Sequence, residues 1–152
     1  HSCGYSLVSY RMAYLKSHYR HIFMSKLLTM EMNDKSKLKK YIYECKKNGI
    51  NILKPNINES SNKFIKKDND LLFPLSGIKE INNAIALNII EERKKGLFKD
   101  IYDFIKRCNI KGNIIENLIK SGAFECFNIN QKTLIENIDL ILNYGELIKD
   151  ID

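Results

Sequence analysis

The sequence predicts a mainly α-helical fold with a small β hairpin or sheet. Apolar residues recur every three or four positions over most of the chain, which is the spacing of one face of a helix. Between residues 50 and 73 that spacing is lost, and short apolar runs are separated by polar turns. We therefore expect helices on both sides of a small group of strands.

The chain is basic, and its basic residues are almost all lysines. The net charge is +7, the pI is about 9.2, and only four of the 25 basic residues are arginines. A lysine ammonium binds phosphate as a hydrated point charge, which suits contact with a nucleic-acid backbone better than recognition of bases. AT-rich coding would also enrich lysine, together with the abundant isoleucine and asparagine, so the charge alone does not decide between these explanations.

Metal sites and membrane spans are not expected. The four cysteines are far apart: Cys3, Cys45, Cys108 and Cys126. This spacing argues against zinc and favours reduced, mostly buried thiols in a cytoplasmic protein. His18 and His21 could ligate a metal, but without a completing ligand nearby a role at a helix junction is favoured. No apolar run approaches the roughly 20 residues that cross a bilayer.

Three helices are expected before residue 50. Residues 1–19 and 22–32 show helical periodicity with a tyrosine-rich contact. A third helix is expected over residues 33–49, where Asn33 or Asp34 would cap the start and Gly49 would close the end. Its polar faces carry six lysines: Lys35, Lys37, Lys39, Lys40, Lys46 and Lys47. Such a face is usually solvated, and contact with phosphate is the alternative.

Short strands are expected at residues 51–55, 64–65 and 71–73, around a polar loop at residues 56–62. Apolar runs of this length fit a small sheet or a hairpin. The change of periodicity separates the N-terminal helices from the rest of the chain.

The second half of the chain carries a repeated outline. Residues 72–93 read as a short helix, a tight turn and a longer helix, which is the outline of a helix-hairpin-helix unit. A looser copy covers residues 111–136. An amphipathic helix over residues 97–107 lies between them, and a terminal helix covers residues 131–149. Paired units of this kind resemble a clamp that holds the DNA backbone without sequence preference.

Blocks along nearly the whole chain, in order and spacing, resemble the C-family of bacterial replicative DNA polymerases, the alpha subunit of DNA polymerase III. They include His1-Ser2, Tyr5, Leu7-Val8-Ser9-Tyr10, Ala13-Tyr14-Leu15-Lys16, His18-Tyr19, Glu44-Cys45, Gly49-Ile50, Gly77-Ile78-Lys79, Ile89-Ile90-Glu91-Glu92-Arg93 and Leu118-Ile119-Lys120-Ser121-Gly122-Ala123-Phe124. The resemblance implies that residues 1–55 are the end of the fingers domain. Residues 56–152 would be a tandem helix-hairpin-helix domain.

The resemblance also implies the site residues. His1 and Tyr5 would contact the incoming nucleotide. The expected DNA-binding residues lie in a first hairpin (residues 79–83) and a second hairpin (residues 120–124): Lys79, Ile81, Asn82, Asn83, Lys120, Ser121, Gly122 and Ala123. Glu80 and Asn82 stand where glycines are expected, although an asparagine such as Asn82 can still adopt the left-handed conformation.

The implied function is part of a DNA-directed DNA polymerase, a nucleotidyltransferase of the cytoplasm. The chain reads as a fragment without the catalytic palm, so by itself it should be inactive. No cofactor is expected in this segment, and Mg²⁺ is implied for the parent polymerase. Duplex primer–template and the deoxynucleotide are the implied partners, with the sliding clamp and other replisome subunits bound through regions outside this segment.

Two alternatives remain open. The hairpins could be degenerate scaffolds in a structural or protein-interaction module, because glycines are missing from the first. Residues 131–135 faintly resemble a peptide that binds a sliding clamp. Core packing of a helix is the favoured role for that stretch.

Overall fold

The computed structural model describes residues 19–149 and residue 151. Within this part of the chain it is mainly helical with one small sheet, which confirms the predicted fold class. The elements follow in this order: α1 (residues 19–30), α2 (Lys35–Lys47), β1 (Ile52–Leu53), β2 (Ile65–Lys67), β3 (Asp70–Leu72), a 3₁₀ turn (Leu75–Gly77), α3 (Asn83–Arg93), α4 (Ile101–Cys108), α5 (Gly112–Ser121), a second 3₁₀ turn (Glu125–Phe127), α6 (Gln131–Glu136) and α7 (Ile138–Lys149).

The described residues form two compact units. The N-terminal unit contains residues 19–52 and 66–71, and the C-terminal unit contains residues 53–65 and those from 72 onward. The three strands form one sheet in the order β1-β3-β2. Strand β3 is central, and its Leu71 and Leu72 are buried, which explains why this short apolar run forms a strand.

In the N-terminal unit, α2 has the boundaries that the sequence predicts. Asp34 caps it, because its Oδ1 accepts a hydrogen bond of 3.1 Å from the amide of Lys37. After the helix ends, Gly49 takes a left-handed φ of +78°. His21 on α1 is buried, and its Nε2 donates a 2.7 Å hydrogen bond to the carbonyl of Asn69. This bond joins α1 to the turn between β2 and β3 rather than to another helix; His18 lies outside the described residues.

The core of the C-terminal unit is built around aromatic rings. Phe104 is fully buried, and its ring lies edge-to-face with the rings of Phe98 at 5.0 Å and Phe124 at 5.3 Å between centroids. Aliphatic side chains of α3, α5 and α7 pack around these rings, including Ile89 and Leu118. These contacts join helices that are distant in sequence, so they fix where the hairpins lie within this unit.

Helix boundaries differ from the sequence predictions in α1, which runs without a break over residues 19–30, and at two places in the C-terminal unit. The helix expected over residues 97–107 begins only at Ile101, because Asp100 caps it with a 2.7 Å bond from the amide of Asp103. The single terminal helix expected over residues 131–149 is two helices, α6 and α7, interrupted at Asn137. The side-chain amide of Asn137 donates to the carbonyl of Thr133 at 2.8 Å, which satisfies the last turn of α6 and ends it.

Arg107 ties the end of α3 to α4. Its guanidinium donates to the carbonyls of Glu92 at 2.8 Å and Gly96 at 2.7 Å, and it pairs with the carboxylates of Glu92 and Asp103 at 3.2 Å each. It also lies 4.5 Å from the ring centroid of Phe98. The planar, multi-donor shape of arginine suits this clamp.

The carboxyl groups of the Arg107 clamp are shifted toward the ionised form. Hydrogen bonds from Lys95 and then from Arg107 lower the pKa of Glu92. The amide of Lys99 and the guanidinium of Arg107 hold the pKa of Asp103 below its usual range. Burial has the opposite consequence for the thiol of Cys108, whose pKa it raises to about 12. Cys45 is also buried, whereas Cys126 is exposed, and all three are free thiols.

Candidate nucleic-acid interface

The first hairpin is a tight turn closed by a hydrogen bond. The amide of Ile81 donates to the carbonyl of Ile78 at 3.0 Å, and Glu80, the third residue of the turn, has a left-handed φ of +68°. This is the pattern of a type II turn, whose third position favours glycine. The chain therefore keeps the glycine geometry at Glu80 without the glycine.

Asn82 does not take the left-handed conformation that is open to an asparagine at this position. Its φ is −79° and its ψ is 175°, which is extended backbone. The reason is that Asn82 caps α3, and its Oδ1 accepts a 2.8 Å hydrogen bond from the amide of Ile85. A cap of this kind requires extended backbone at the capping residue.

The first hairpin presents polar groups on its open side. Lys79, Asn82 and Asn83 are exposed, whereas the side chain of Ile81 is buried at 3 % exposure. The amide of Ile81 is used within the turn, but those of Asn83 and Ala84 open the helix and have no acceptor among the described residues. A lysine beside free amides at a helix start is suited to an anion.

Helix α5 braces the first hairpin from behind. The Nδ2 of Asn117 donates to the carbonyl of Lys79 at 3.0 Å. One turn earlier, the Nδ2 of Asn113 donates to the carboxylate of Glu80. These bonds hold the hairpin turn in place and direct the carboxylate of Glu80 toward α5. The sequence analysis missed both asparagines; their spacing of four residues on one helix face was the available signal.

An open cleft of about 380 Å³ lies beside the first hairpin. Its walls include Glu80, Asn88, Lys111 and Asn113, so its rim is polar. Cys108 also lines the cleft, and burial raises the pKa of its thiol to about 12, well above the pH at which a thiolate would form. The cleft offers amide donors and acceptors rather than a nucleophile.

The second hairpin is packed inward. Gly122 takes a left-handed φ of +88°, and its amide and that of Ala123 donate to the carbonyls of Ile119 and Leu118. Both residues are buried. A Cβ at position 122 would lie 2.9 Å from Cδ of Lys54. The amides of Gly122 and Ala123 are therefore used inside the protein.

The charged and hydroxyl groups of the second hairpin also have internal partners. Lys120 is exposed but forms a 2.9 Å ion pair with Glu116. The hydroxyl of Ser121 donates to the carbonyl of Leu118 at 2.7 Å. By contrast, Lys79 in the first hairpin pairs with no carboxylate among the described residues. The two hairpins thus differ: the polar groups of the first are open to solvent, whereas those of the second already have partners within the protein.

The other predicted site residues, His1 and Tyr5, lie outside the described residues. Within residues 19–149 and residue 151 there is no group of three or more His, Cys, Asp or Glu side chains placed to hold a metal ion. None of the helices in that part of the chain is long and apolar enough to cross a membrane.

The helix-hairpin-helix motif matches residues 49–134, more than half of the chain. This chain belongs to the helix-hairpin-helix motif family. The match spans both hairpins and the helix between them, and it confirms the motif that the sequence analysis predicted.

Proteins that match nearly the whole of this chain agree with the predicted resemblance. DNA polymerase III subunit alpha of Borreliella burgdorferi is 42% identical over 93% of this chain, and that of Bacillus subtilis is 36% identical over 97%. The subunit alpha of Thermus aquaticus is 35% identical over 95% of this chain. The chain spans only 12–14% of the length of these three relatives. The resemblance to the replicative polymerase alpha subunit is therefore confirmed for this segment of the helix-hairpin-helix family.

Proposed function

We propose that this chain is the segment of a bacterial replicative DNA polymerase that holds the backbone of duplex primer–template without reading its sequence. The observation that carries the proposal is the open first hairpin, where Lys79 lies next to two unpaired amides at the start of α3. The similarity to polymerase III alpha subunits along nearly the whole chain supports it.

The geometry supports binding without sequence preference. The free amides of Asn83 and Ala84 point out of the helix start, where the helix dipole favours a negative group. A lysine ammonium adds a point charge beside them. These groups match phosphate oxygens, which are the same at every step of a duplex. The binding energy then comes mainly from release of counterions and depends on salt.

For the longer protein we propose template-directed DNA synthesis in the cytoplasm, with His1 and Tyr5 contacting the incoming nucleotide. Mg²⁺ chemistry would lie in other parts of that protein. Contacts with the sliding clamp and other replisome subunits would likewise lie outside this segment. By itself the segment would not polymerise.

Reversing the charge of Lys79 is expected to weaken duplex binding about tenfold. The Lys79→Glu variant loses one phosphate contact and places a second carboxylate at the first hairpin, a change of about 1.4 kcal/mol. The slope of log K against log salt should become shallower by about 0.9. Fluorescence anisotropy with a labelled duplex, titrated between 50 and about 200 mM salt, measures both quantities.

Lys94→Glu is the matched control for that experiment. Lys94 caps the other end of α3, about 16 Å from the first hairpin along an 11-residue helix, and it is also exposed to solvent, where it pairs with Glu91. The same charge reversal at Lys94 should change affinity less than twofold. Equal losses at Lys79 and Lys94 would mean that only net charge matters, and the hairpin site would be rejected.

A scaffold role is the second candidate, and one observation favours it for the second hairpin. Gly122 and Ala123 are buried and their amides are bonded internally, so that bend serves to pack α5 against the following turn. Lys120→Glu should therefore lower duplex affinity less than Lys79→Glu does. If neither variant changes affinity, both hairpins are scaffolds.

Removing the Glu80 charge is expected to strengthen duplex binding about fivefold. The carboxylate is exposed on the same turn as Lys79, and although Asn113 holds it toward α5, it would still repel a phosphate bound at this turn, by about 1 kcal/mol for like charges 4 Å apart in water. The Glu80→Gln variant keeps an oxygen that can accept from Asn113, so the turn geometry should be preserved. Glu91→Gln, the same change near the far end of α3, should leave the anisotropy titration unaltered. Unchanged affinity in Glu80→Gln would place phosphate away from this turn.

A further inference from the structure

The excess positive charge of the chain does not lie on the unit that carries the hairpins. Among the described residues, the N-terminal unit has ten basic and five acidic side chains, a net charge of +5. The C-terminal unit has 13 basic and 11 acidic side chains, a net charge of +2. The field that attracts polyanions is therefore strongest on the N-terminal unit.

Helix α2 concentrates that charge. Six of its 13 residues are lysines and only Glu44 is acidic. Among the described residues, one of those lysines, Lys37, lies within 4 Å of a carboxylate, that of Glu31 at 3.8 Å. In the C-terminal unit, by contrast, lysines are regularly paired, as at Lys94 and Lys120. The lysines of α2 thus keep their charge available to an external partner.

An exposed aromatic ring lies in the middle of these lysines. Tyr43 is 61% exposed. Residues three and four positions away in both directions are neighbours on a helix surface. At Tyr43 all four of those positions are exposed lysines: Lys39, Lys40, Lys46 and Lys47. The ammonium of Lys47 already lies 5.7 Å from the centre of the tyrosine ring.

We propose that this face of α2, defined by Tyr43 and its four lysines, binds single-stranded nucleic acid. An aromatic ring flanked by lysines is the arrangement that stacks an unpaired base while cations hold the phosphates on either side. A duplex would offer the same lysines its phosphates but no free base for Tyr43. The exposed ring therefore favours a single strand over a duplex.

Two interactions, which can be measured separately, would hold the single strand on this face. Stacking on Tyr43 depends on an aromatic ring and little on salt. Attraction to Lys40 and Lys47 depends on salt, with log K falling by about 0.7 per neutralised phosphate on a single strand. A lysine face that is merely solvated would show the salt-dependent attraction without the stacking. The experiment therefore tests the tyrosine and the lysines separately.

The test uses the whole chain and a labelled oligothymidylate of about 12 nucleotides, followed by fluorescence anisotropy. Tyr43→Ala should weaken binding at least about fivefold, because stacking of one base is worth about 1 kcal/mol or more. Tyr43→Phe keeps the ring and should retain wild-type affinity. The chain has no tryptophan, so Tyr43→Trp supplies a single reporter whose emission should be quenched when a base stacks on it.

The lysine arm has a matched control. The Lys40→Ala, Lys47→Ala double variant should make the salt slope shallower by about 1.4, whereas removing Lys94 and Lys95 together should leave it unchanged. The proposal is overturned if Tyr43→Ala binds oligothymidylate within twofold of wild type, or if the emission of Tyr43→Trp is unaltered. Lys79→Glu should not affect oligothymidylate binding, so failure here is distinct from failure of the proposed duplex contact.

Discussion

Replacing Phe104 by alanine is expected to lower the free energy of unfolding by about 3–5 kcal/mol. Phe104 is fully buried and touches the rings of Phe98 and Phe124 edge-to-face. Alanine removes the buried ring area and leaves a cavity that rigid neighbouring rings cannot fill. Urea denaturation followed by circular dichroism, with the aromatic signal recorded as well, measures the loss in the free energy of unfolding.

Tyr102→Ala is the control for this prediction. Tyr102 lies on the same helix, two residues earlier, and its ring also meets another ring, that of Tyr144 at 4.8 Å. It is 41% exposed, so the same deletion of an aromatic ring should cost well under half as much. A loss below about 1 kcal/mol for Phe104→Ala would show that the helices collapse into the space.

Arg107→Met is expected to destabilise the protein by about 2–4 kcal/mol. Methionine retains the aliphatic stem, but it removes the guanidinium donor from the carbonyls of Glu92 and Gly96 and the arginine cation from the carboxylates of Glu92 and Asp103. Glu92 keeps Lys95 as a partner for both its carbonyl and its carboxylate, so the larger loss falls on Gly96 and Asp103. Arg107→Lys should recover little of this, because one ammonium cannot reach carbonyls and carboxylates on several sides at once. Lys106→Met, the neighbouring exposed position, is the control and should be nearly neutral.

The pH dependence of the same variant provides a second measurement. The pKa values of Glu92 and Asp103 are lowered in the folded protein, so the stability they contribute is present at neutral pH. That stability is lost as the pH falls through their folded-state pKa values, below the ordinary carboxyl range of about 4. The difference between wild type and Arg107→Met should therefore narrow in acid. A difference that stays constant down to about pH 3 would contradict the ionic part of the clamp.

Local rules were sufficient where a residue acts on its own neighbours. The cap at Asp34, the glycine that follows α2 and the tight turn before α3 could all be predicted, because each depends on a few consecutive residues. The hairpin motif was also predictable from its outline. The helix-hairpin-helix match over residues 49–134 confirms that part.

Contacts between distant residues account for what the sequence could not predict. Glu80 holds a conformation that favours glycine because Asn113 and Asn117, more than 30 positions later, brace that turn. The side chain of Lys54, which lies 68 positions before Gly122, packs closely against the second hairpin. No local pattern reports such pairs. The exposure of a turn therefore had to be seen in the structure.

The inequality of the two hairpins has a mechanical consequence. A DNA duplex that is held at two sites along its length has a fixed direction, whereas a duplex held at one site can rotate about that site. With the second hairpin buried, the proposed contact would hold the duplex at the first hairpin alone. The direction of the double helix would then have to be set by surfaces outside this segment.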